Sequence, residues 1–144
     1  MNLHQIILSV FRKGPNMEWI AIIVGGLGAF ALGIPWYMVL AKPWMKAAGI
    51  SDEQASNANP IIYMITLFMW IVSSFFLQRY LMQDATSLVE ALRSAFAAWA
   101  ALGLLSTTLS TLYGMRGRNL LWIDAGYTLA GAIVIAIVHT LLYP

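Results

Sequence analysis

Asp124 is the residue with the clearest chemical potential in this sequence, because residues 120–143 around it are otherwise apolar apart from His139. It lies about 9 Å along a helix from Arg118, at about 1.5 Å per residue. An ionisable side chain at that depth of a membrane is costly and usually turns to the protein interior with a partner. Tyr127 shares its helical face, so the two could bind a polar ligand or act as acid and base. An alternative of equal weight is that the Asp124 carboxylate has a structural role only and stabilises the neighbouring turn.

Aromatic residues at the end of the first apolar stretch could form the walls of a pocket around this carboxylate. The first stretch ends in two aromatic residues on the same side of the membrane as Asp124, and the following loop carries a tryptophan and a lysine. Pro35 removes one backbone hydrogen bond from this part of the helix and is expected to loosen it. The predicted members of this half-buried polar pocket are Trp36, Tyr37, Trp44, Lys46, Asp124 and Tyr127.

The other polar residues offer little chemistry. Glu90 and Arg93 are placed to neutralise each other on one helix face, and His139 is predicted to lie near the membrane surface at a helix end. Two histidines without cysteine favour neither a metal site nor a disulfide. The sequence shows no hydrolase, redox or nucleotide motif, and we expect no cofactor. A net charge of +2 forms no basic patch for nucleic acid.

Four predicted transmembrane helices position these residues. Hydrophobic residues make up 60% of the 144 residues and charged residues only 10%, whereas a soluble domain carries roughly 25% charged residues. A spanning helix needs about 20 mostly apolar residues. Four stretches qualify, at residues 19–40, 60–77, 88–113 and 120–143. The sequence therefore predicts an all-α integral membrane bundle of four transmembrane helices, spans one to four, in the lipid bilayer.

Capping patterns predict how the spans begin. An asparagine before a proline, at Asn59, is typical of a helix start. Ser87 and Glu90 fit a capping box at the start of span three. Ser51 and Gln54 fit a second box, which predicts a short interfacial helix between spans one and two.

The chain divides into an extension and one transmembrane domain. Residues 1–16 are predicted to form an N-terminal extension, an amphipathic helix on the membrane surface. Residues 17–144 form the four-helix domain, in which Gly114 and Gly117 predict a tight turn between spans three and four. Basic residues are nearly equal in number on the two sides, so the positive-inside rule leaves the orientation open.

Span one carries small residues at every fourth position, Ala21, Gly25, Ala29 and Gly33. A face of this kind lets two helices approach closely in lipid. We expect it to be a helix-packing face, either within one chain or between chains.

Three segments resemble a known family. Residues 33–37 read Gly-Ile-Pro-Trp-Tyr, residues 42–50 read Lys-Pro-Trp-Met-Lys-Ala-Ala-Gly-Ile, and residues 123–127 read Ile-Asp-Ala-Gly-Tyr. In this order they are similar to the bacterial membrane family catalogued as domain of unknown function 1761. The resemblance implies a small, multi-pass protein of the bacterial inner membrane with four spans, and it implies no activity.

Three functions fit these features. The first is a structural or assembly component, present as a homo-oligomer or as a subunit of a larger membrane complex. The second is a protein that binds or conducts a small molecule or ion through the polar pocket around Asp124. The third, ranked lowest, is a membrane enzyme that uses Asp124 and Tyr127 as acid and base.

Overall fold

The structure, a computed structural model, describes residues 15–142. Most of the predicted surface helix, residues 1–14, lies outside the described residues, and residues 15 and 16 open the first long helix. The described chain is helical and contains no strand. Its α-helices are α1 (Pro15–Val39), α2 (Ala41–Ala48), α3 (Asp52–Ser56), α4 (Ile61–Phe76), α5 (Leu88–Ala98), α6 (Leu104–Tyr113) and α7 (Arg118–Leu142).

Two π-turns extend or join these helices. The π-turn Leu77–Leu81 continues α4, and the π-turn Trp99–Gly103 joins α5 to α6 into one long helix. The sequence predicts span three as an ordinary helix. This prediction is wrong in the middle of the span, where the structure has a wider turn. The residue types of this segment do not predict the wider turn, because alanine and glycine are compatible with either kind of turn.

Within residues 15–142, four helices are long and apolar enough to cross a membrane, which confirms the predicted fold class. They are span one (Met17–Val39, within α1), span two (Ile61–Leu81), span three (Leu88–Tyr113) and span four (Arg118–Leu142, all of α7). The helix containing span one begins earlier than predicted, at Pro15, because proline suits the first turn of a helix. Span four begins two residues earlier than predicted because polar residues can form a first turn beyond the apolar core.

The spans lie side by side in the order two, one, four, three. Span one packs against spans two and four, and span three packs against span four. Spans two and three approach each other at the turn that connects them, where the π-turn Leu77–Leu81 contacts α5. In the apolar windows of spans two and three only 11% of residues are buried, against 33% in span one and 39% in span four. Spans one and four are therefore the centre of the protein.

The small face of span one packs inside this chain. Ala21, Gly25, Ala29 and Gly33 are all buried. A Cβ atom at Gly25 would lie 2.7 Å from the Ser74 hydroxyl of span two, and one at Gly33 would lie 2.8 Å from the Tyr127 hydroxyl of span four. The missing side chains thus allow the close helix approach that holds a membrane bundle together.

Small residues also hold span three on span four. Ala91 and Ala95 of α5 meet Ala132 and Ala136 of α7 in a buried cluster that Met82 closes. Alanine is small enough for two helices to approach closely, and its methyl group still packs between them. The cluster lies toward the end of span four opposite Asp124.

The predicted connections hold in part. Ser51 and Gln54 form a complete capping box, with Gln54 N donating to Ser51 Oγ at 3.2 Å and Ser51 N donating to Gln54 Oε1 at 2.9 Å. This box opens α3, but a further short helix, α2, precedes it, and the two are separated by Gly49 in the left-handed conformation (φ 73°). The loop therefore contains two short helices where the sequence predicts one.

The box predicted at the start of span three is only half formed. Ser87 Oγ accepts a hydrogen bond from Glu90 N at 3.4 Å. The Glu90 carboxylate turns instead to Thr86, from which it accepts bonds from the backbone N–H at 2.7 Å and the hydroxyl at 3.0 Å. It makes no ion pair with Arg93 within the described chain, so the expected mutual neutralisation is wrong.

Candidate functional site

One oxygen of Asp124 accepts two hydrogen bonds from the end of span one and the helix that follows it. The Tyr37 hydroxyl donates to Asp124 Oδ1 at 2.9 Å, and Trp44 Nε1 donates to the same oxygen at 3.1 Å. Hydrogen bonds to an ionised acceptor are stronger than neutral ones. Asp124 thus joins span four to both α1 and α2.

A break in the helix at Leu40, after span one, places these donors. Helix α1 continues past Pro35 to Val39, so this proline, which is exposed, does not end the helix. Leu40 then interrupts the helical run, and α2 begins at Ala41. Tyr37 lies in the last turn of α1 and Trp44 in the first turns of α2, so the two approach the carboxylate from different helices.

Aromatic rings enclose the carboxylate. The Tyr37 ring meets the Trp44 ring at a centroid distance of 5.7 Å and the Tyr127 ring at 5.1 Å, both edge to face. This is the geometry that aromatic pairs prefer, because the positive edge of one ring meets the negative face of the other. The Tyr127 hydroxyl donates to the Ala29 carbonyl of span one at 3.2 Å. Asp124 and Tyr127 therefore belong to one cluster but are not hydrogen-bonded to each other.

Trp36 attaches to the backbone beside Asp124. Its Nε1 donates to the Ile123 carbonyl at 3.1 Å. Its ring lies over Gly126, where a Cβ atom would be 3.0 Å from the indole. The glycine in the Ile-Asp-Ala-Gly-Tyr segment is thus required for the close approach of this ring.

The second carboxylate oxygen of Asp124 has a different environment. Both the Tyr37 and Trp44 donors bond to Oδ1, and within the described chain Oδ2 accepts no hydrogen bond. The side chain is half-buried, and the positive charge of Arg116 acts on it from the neighbouring turn. One oxygen is therefore held in place while the other is available to a further donor or cation.

The structure brings together five of the six predicted pocket residues. Trp36, Tyr37, Trp44, Asp124 and Tyr127 are linked by the contacts above. Lys46 is exposed and makes no ion pair with Asp124; it lines a separate cleft beside Arg118. The lysine and Trp44 lie on different faces of α2, so only one of them can reach the carboxylate.

Two tryptophans of this region are absent from the sequence-based prediction. Trp70 of span two packs edge to face on Tyr127 at 5.3 Å and lies directly against Gly131. Trp99 of span three donates from Nε1 to the Ala125 carbonyl at 2.9 Å. Both stand in the middle of their spans rather than at the ends where aromatic belts lie, and that position is the signal that could have revealed them.

A second polar cluster lies at the opposite end of the bundle. Gln78 Nε2 donates to the Ala21 carbonyl at 3.0 Å and to Ser74 Oγ at 2.9 Å, and Gln78 Oε1 lies 3.4 Å from His139 Nδ1. His139 lies in the last turn of α7, near the helix end as predicted, and its side chain is only 2% exposed because it faces the neighbouring spans. Nearby, Glu18 pairs with Arg79 at 3.5 Å. This cluster connects spans one, two and four.

The arrangement around Asp124 suits the binding of a small polar group. Among the described residues, no group of three histidine, cysteine, aspartate or glutamate side chains could hold a metal ion. A single half-buried carboxylate with one open oxygen can take up a proton, a small cation or a hydrogen-bond donor.

The three segments that carry the family resemblance meet at this point of the fold. Residues 33–37 supply Trp36 and Tyr37, residues 42–50 supply Trp44, and residues 123–127 contain Asp124 and Tyr127. In a comparison with family models, residues 20–140 matched the protein of unknown function family DUF1761. The chain belongs to this family. No curated protein and no solved structure matched the chain, so the DUF1761 assignment stands beside the geometry of the site as the basis for a functional proposal.

Proposed function

We propose that this DUF1761 protein is a structural component of a membrane assembly that associates with a second copy of itself through span three. The observation that carries the proposal is an outward face of small residues on that span. Ala97, Ala101, Ser106 and Ser110 are all exposed. They lie on span three, which over most of its length packs against span four and against neither of the other two spans.

The π-turn keeps these four residues in line. Their spacing is four residues, then five, then four. A π-turn closes hydrogen bonds over five residues instead of four, and Trp99–Gly103 lies at the five-residue step. Without this turn, the residues before and after it would fall on different faces of the helix.

The hydroxyl groups of this face favour a protein neighbour over lipid. Thr107 and Thr108 donate to carbonyls four residues earlier, both at 2.7 Å. Ser106 and Ser110, in contrast, make no side-chain hydrogen bond with any described residue. Serine hydroxyls in transmembrane helices bond across helix interfaces, where small residues let the backbones approach.

A second copy of the chain is the partner that this face fits. Two identical faces of small residues are complementary when a two-fold axis along the membrane normal relates them. Span one uses the same kind of face inside the chain, where it packs directly on spans two and four. The resemblance noted above supports the bacterial inner membrane as the location of the assembly.

The test is the mass of the full-length protein in detergent and in nanodiscs, by native mass spectrometry. We expect a dimer for the wild type and a monomer for Ala101→Leu and Ser106→Leu, because leucine separates the backbones. Ala31→Leu is the matched control, since Ala31 is exposed to lipid on span one. A monomeric wild type, or a dimer that survives both leucine variants, would contradict self-association through this face. A stable complex with a different subunit would instead make the protein part of a hetero-oligomer.

The open oxygen of Asp124 supports a second function, the binding of a small cation or an organic ammonium group. Asp124→Asn keeps an acceptor for Tyr37 and Trp44 but removes the charge. We expect sodium, ammonium or methylammonium ions to raise the melting temperature of the wild type and not that of Asp124→Asn. Equal responses in the two proteins would rule out this site. The enzyme hypothesis gains no support, because the Tyr127 hydroxyl is bonded to Ala29 rather than to Asp124.

A further inference from the structure

We propose that a cleft between α2 and the start of α7 binds a phosphate group. The cleft has a volume of about 440 Å³. The residues that line it are Pro43, Lys46, Ala47, Gly117, Arg118 and Asn119. This site is separate from the carboxylate of Asp124 and from the small face of span three.

Backbone contacts fix the two sides of the cleft relative to each other. Gly117 N donates to the Ala47 carbonyl at 2.9 Å. A Cβ atom at Gly117 would lie 3.0 Å from the Ala47 Cα, so the two backbones touch. Lys46 and Arg118 are the sequence neighbours of these contact residues, and they therefore line one cleft although they are far apart in the chain.

The charges around the cleft favour an anion. Lys46 and Arg118 are exposed, and neither forms an ion pair with a described carboxylate. The side chain of Asn119 adds amide donors, and the positive end of the α7 dipole lies at the same place. The acidic residues of α3, Asp52 and Glu53, do not line the cleft. An arginine and a lysine that line the same cleft can both bind the oxygens of a phosphate.

The position of the cleft brings it to the level of lipid headgroups. Arg118 is the first residue of span four, so the cleft lies at the boundary of the apolar segment. Basic pockets at this level bind anionic headgroups. The phosphate of an anionic lipid and a soluble phosphate share the same chemistry, and the experiment separates the two sources.

The test uses native mass spectrometry of the full-length protein in detergent, titrated with phosphatidylglycerol, phosphatidylcholine or inorganic phosphate. We expect tighter binding of phosphatidylglycerol than of phosphatidylcholine. Removing each cation, in Lys46→Met and Arg118→Gln, should weaken the binding about fivefold. The control is Lys42→Met combined with Arg93→Gln, which removes the same charge at exposed positions outside the cleft.

The outcomes are distinct. A preference for phosphatidylglycerol that is lost in the double variant Lys46→Met/Arg118→Gln, with no binding of inorganic phosphate, assigns the site to a lipid headgroup. Binding of inorganic phosphate that is lost in the same variant assigns it to a soluble phosphate. The proposal is overturned if neither ligand is preferred, or if the preference is equal in the double variant and in the control. Melting temperatures equal to that of the wild type would show that the double variant and the control are both folded.

Discussion

Gly131 of span four lies directly beneath the indole ring of Trp70 of span two, so that a single methyl group on Gly131 would overlap the ring. The same ring packs edge to face on Tyr127. This contact brings span two to span four across the middle of the bundle, and Gln78 and His139 connect the same two spans near one end.

The first prediction follows from this overlap. Gly131→Ala should destabilise the protein by about 1–3 kcal/mol, the usual cost of overpacking a rigid core. Thermal melts in detergent measure the change. Trp70→Leu should relieve the clash, so Gly131→Ala should cost less in a Trp70→Leu background. Equal costs in the two backgrounds would show that the ring does not limit the space at Gly131.

The second prediction concerns the hydrogen bonds of Asp124. Tyr37→Phe removes one donor to the carboxylate, and a hydrogen bond to a charged group contributes about 1.5–3 kcal/mol. We expect a loss of stability toward the lower end of that range, since the group is half-buried. Lys46→Met, in the absence of added ligand, should change the stability by less than about 0.5 kcal/mol, because Lys46 is exposed. If Lys46→Met were as harmful as Tyr37→Phe, the lysine would have to reach the carboxylate in the folded protein.

The third prediction concerns the small face of span one. Gly25→Leu and Ala29→Leu should prevent folding or lower the melting temperature strongly, because both positions are buried against neighbouring helices. Gly25→Ala is the milder test, since its methyl group would meet the Ser74 hydroxyl at 2.7 Å and the Gln78 amide nitrogen at 2.9 Å. Leu27→Ala serves as the control, because Leu27 is 45% exposed. If all four variants had the same melting temperature, the small face of span one would not determine helix packing.

The fourth prediction concerns the turn between spans three and four. Met115 adopts a positive φ of 52°, a conformation that costs a side chain with a Cβ atom about 1–2 kcal/mol. Met115→Gly should therefore raise the stability by up to about 1 kcal/mol, while Met115→Ala should not. The side chain is 94% exposed, so its removal costs no packing. A stabilisation by alanine equal to that by glycine would point to another cause.

The spans and the level of the aromatic residues could be predicted from the sequence, because composition and helical periodicity determine them. Trp36 and Tyr37 come one turn after Gly33, and the structure indeed places them at the height of Asp124. Which of Trp44 and Lys46 contacts Asp124 could not be predicted, because the answer depends on the direction that α2 takes after Leu40.

Other features escaped prediction because they arise only when distant residues meet. Gln78 and His139 lie far apart in the sequence, and their contact depends on the vertical register of spans two and four. The turn residue with positive φ is Met115 rather than the neighbouring Gly114 or Gly117. The residues of the π-turn in span three are compatible with an ordinary helix, and only the five-residue step from Ala101 to Ser106 marks the turn in the sequence.

This π-turn has a consequence for the length of span three. A π-turn is an α-helix with one extra residue, so the deletion of one residue within Trp99–Gly103 can return the helix to regular geometry. The helical faces on both sides would then stay aligned, and deletion of Leu102 or Gly103 would space Ala97, Ala101, Ser106 and Ser110 by four residues throughout. Deletion of one residue elsewhere in the same span would instead rotate everything beyond it by about 100°, as expected from 3.6 residues per turn. Span three can therefore shorten by one residue at this point, and only there without turning one half of its surface away from the other.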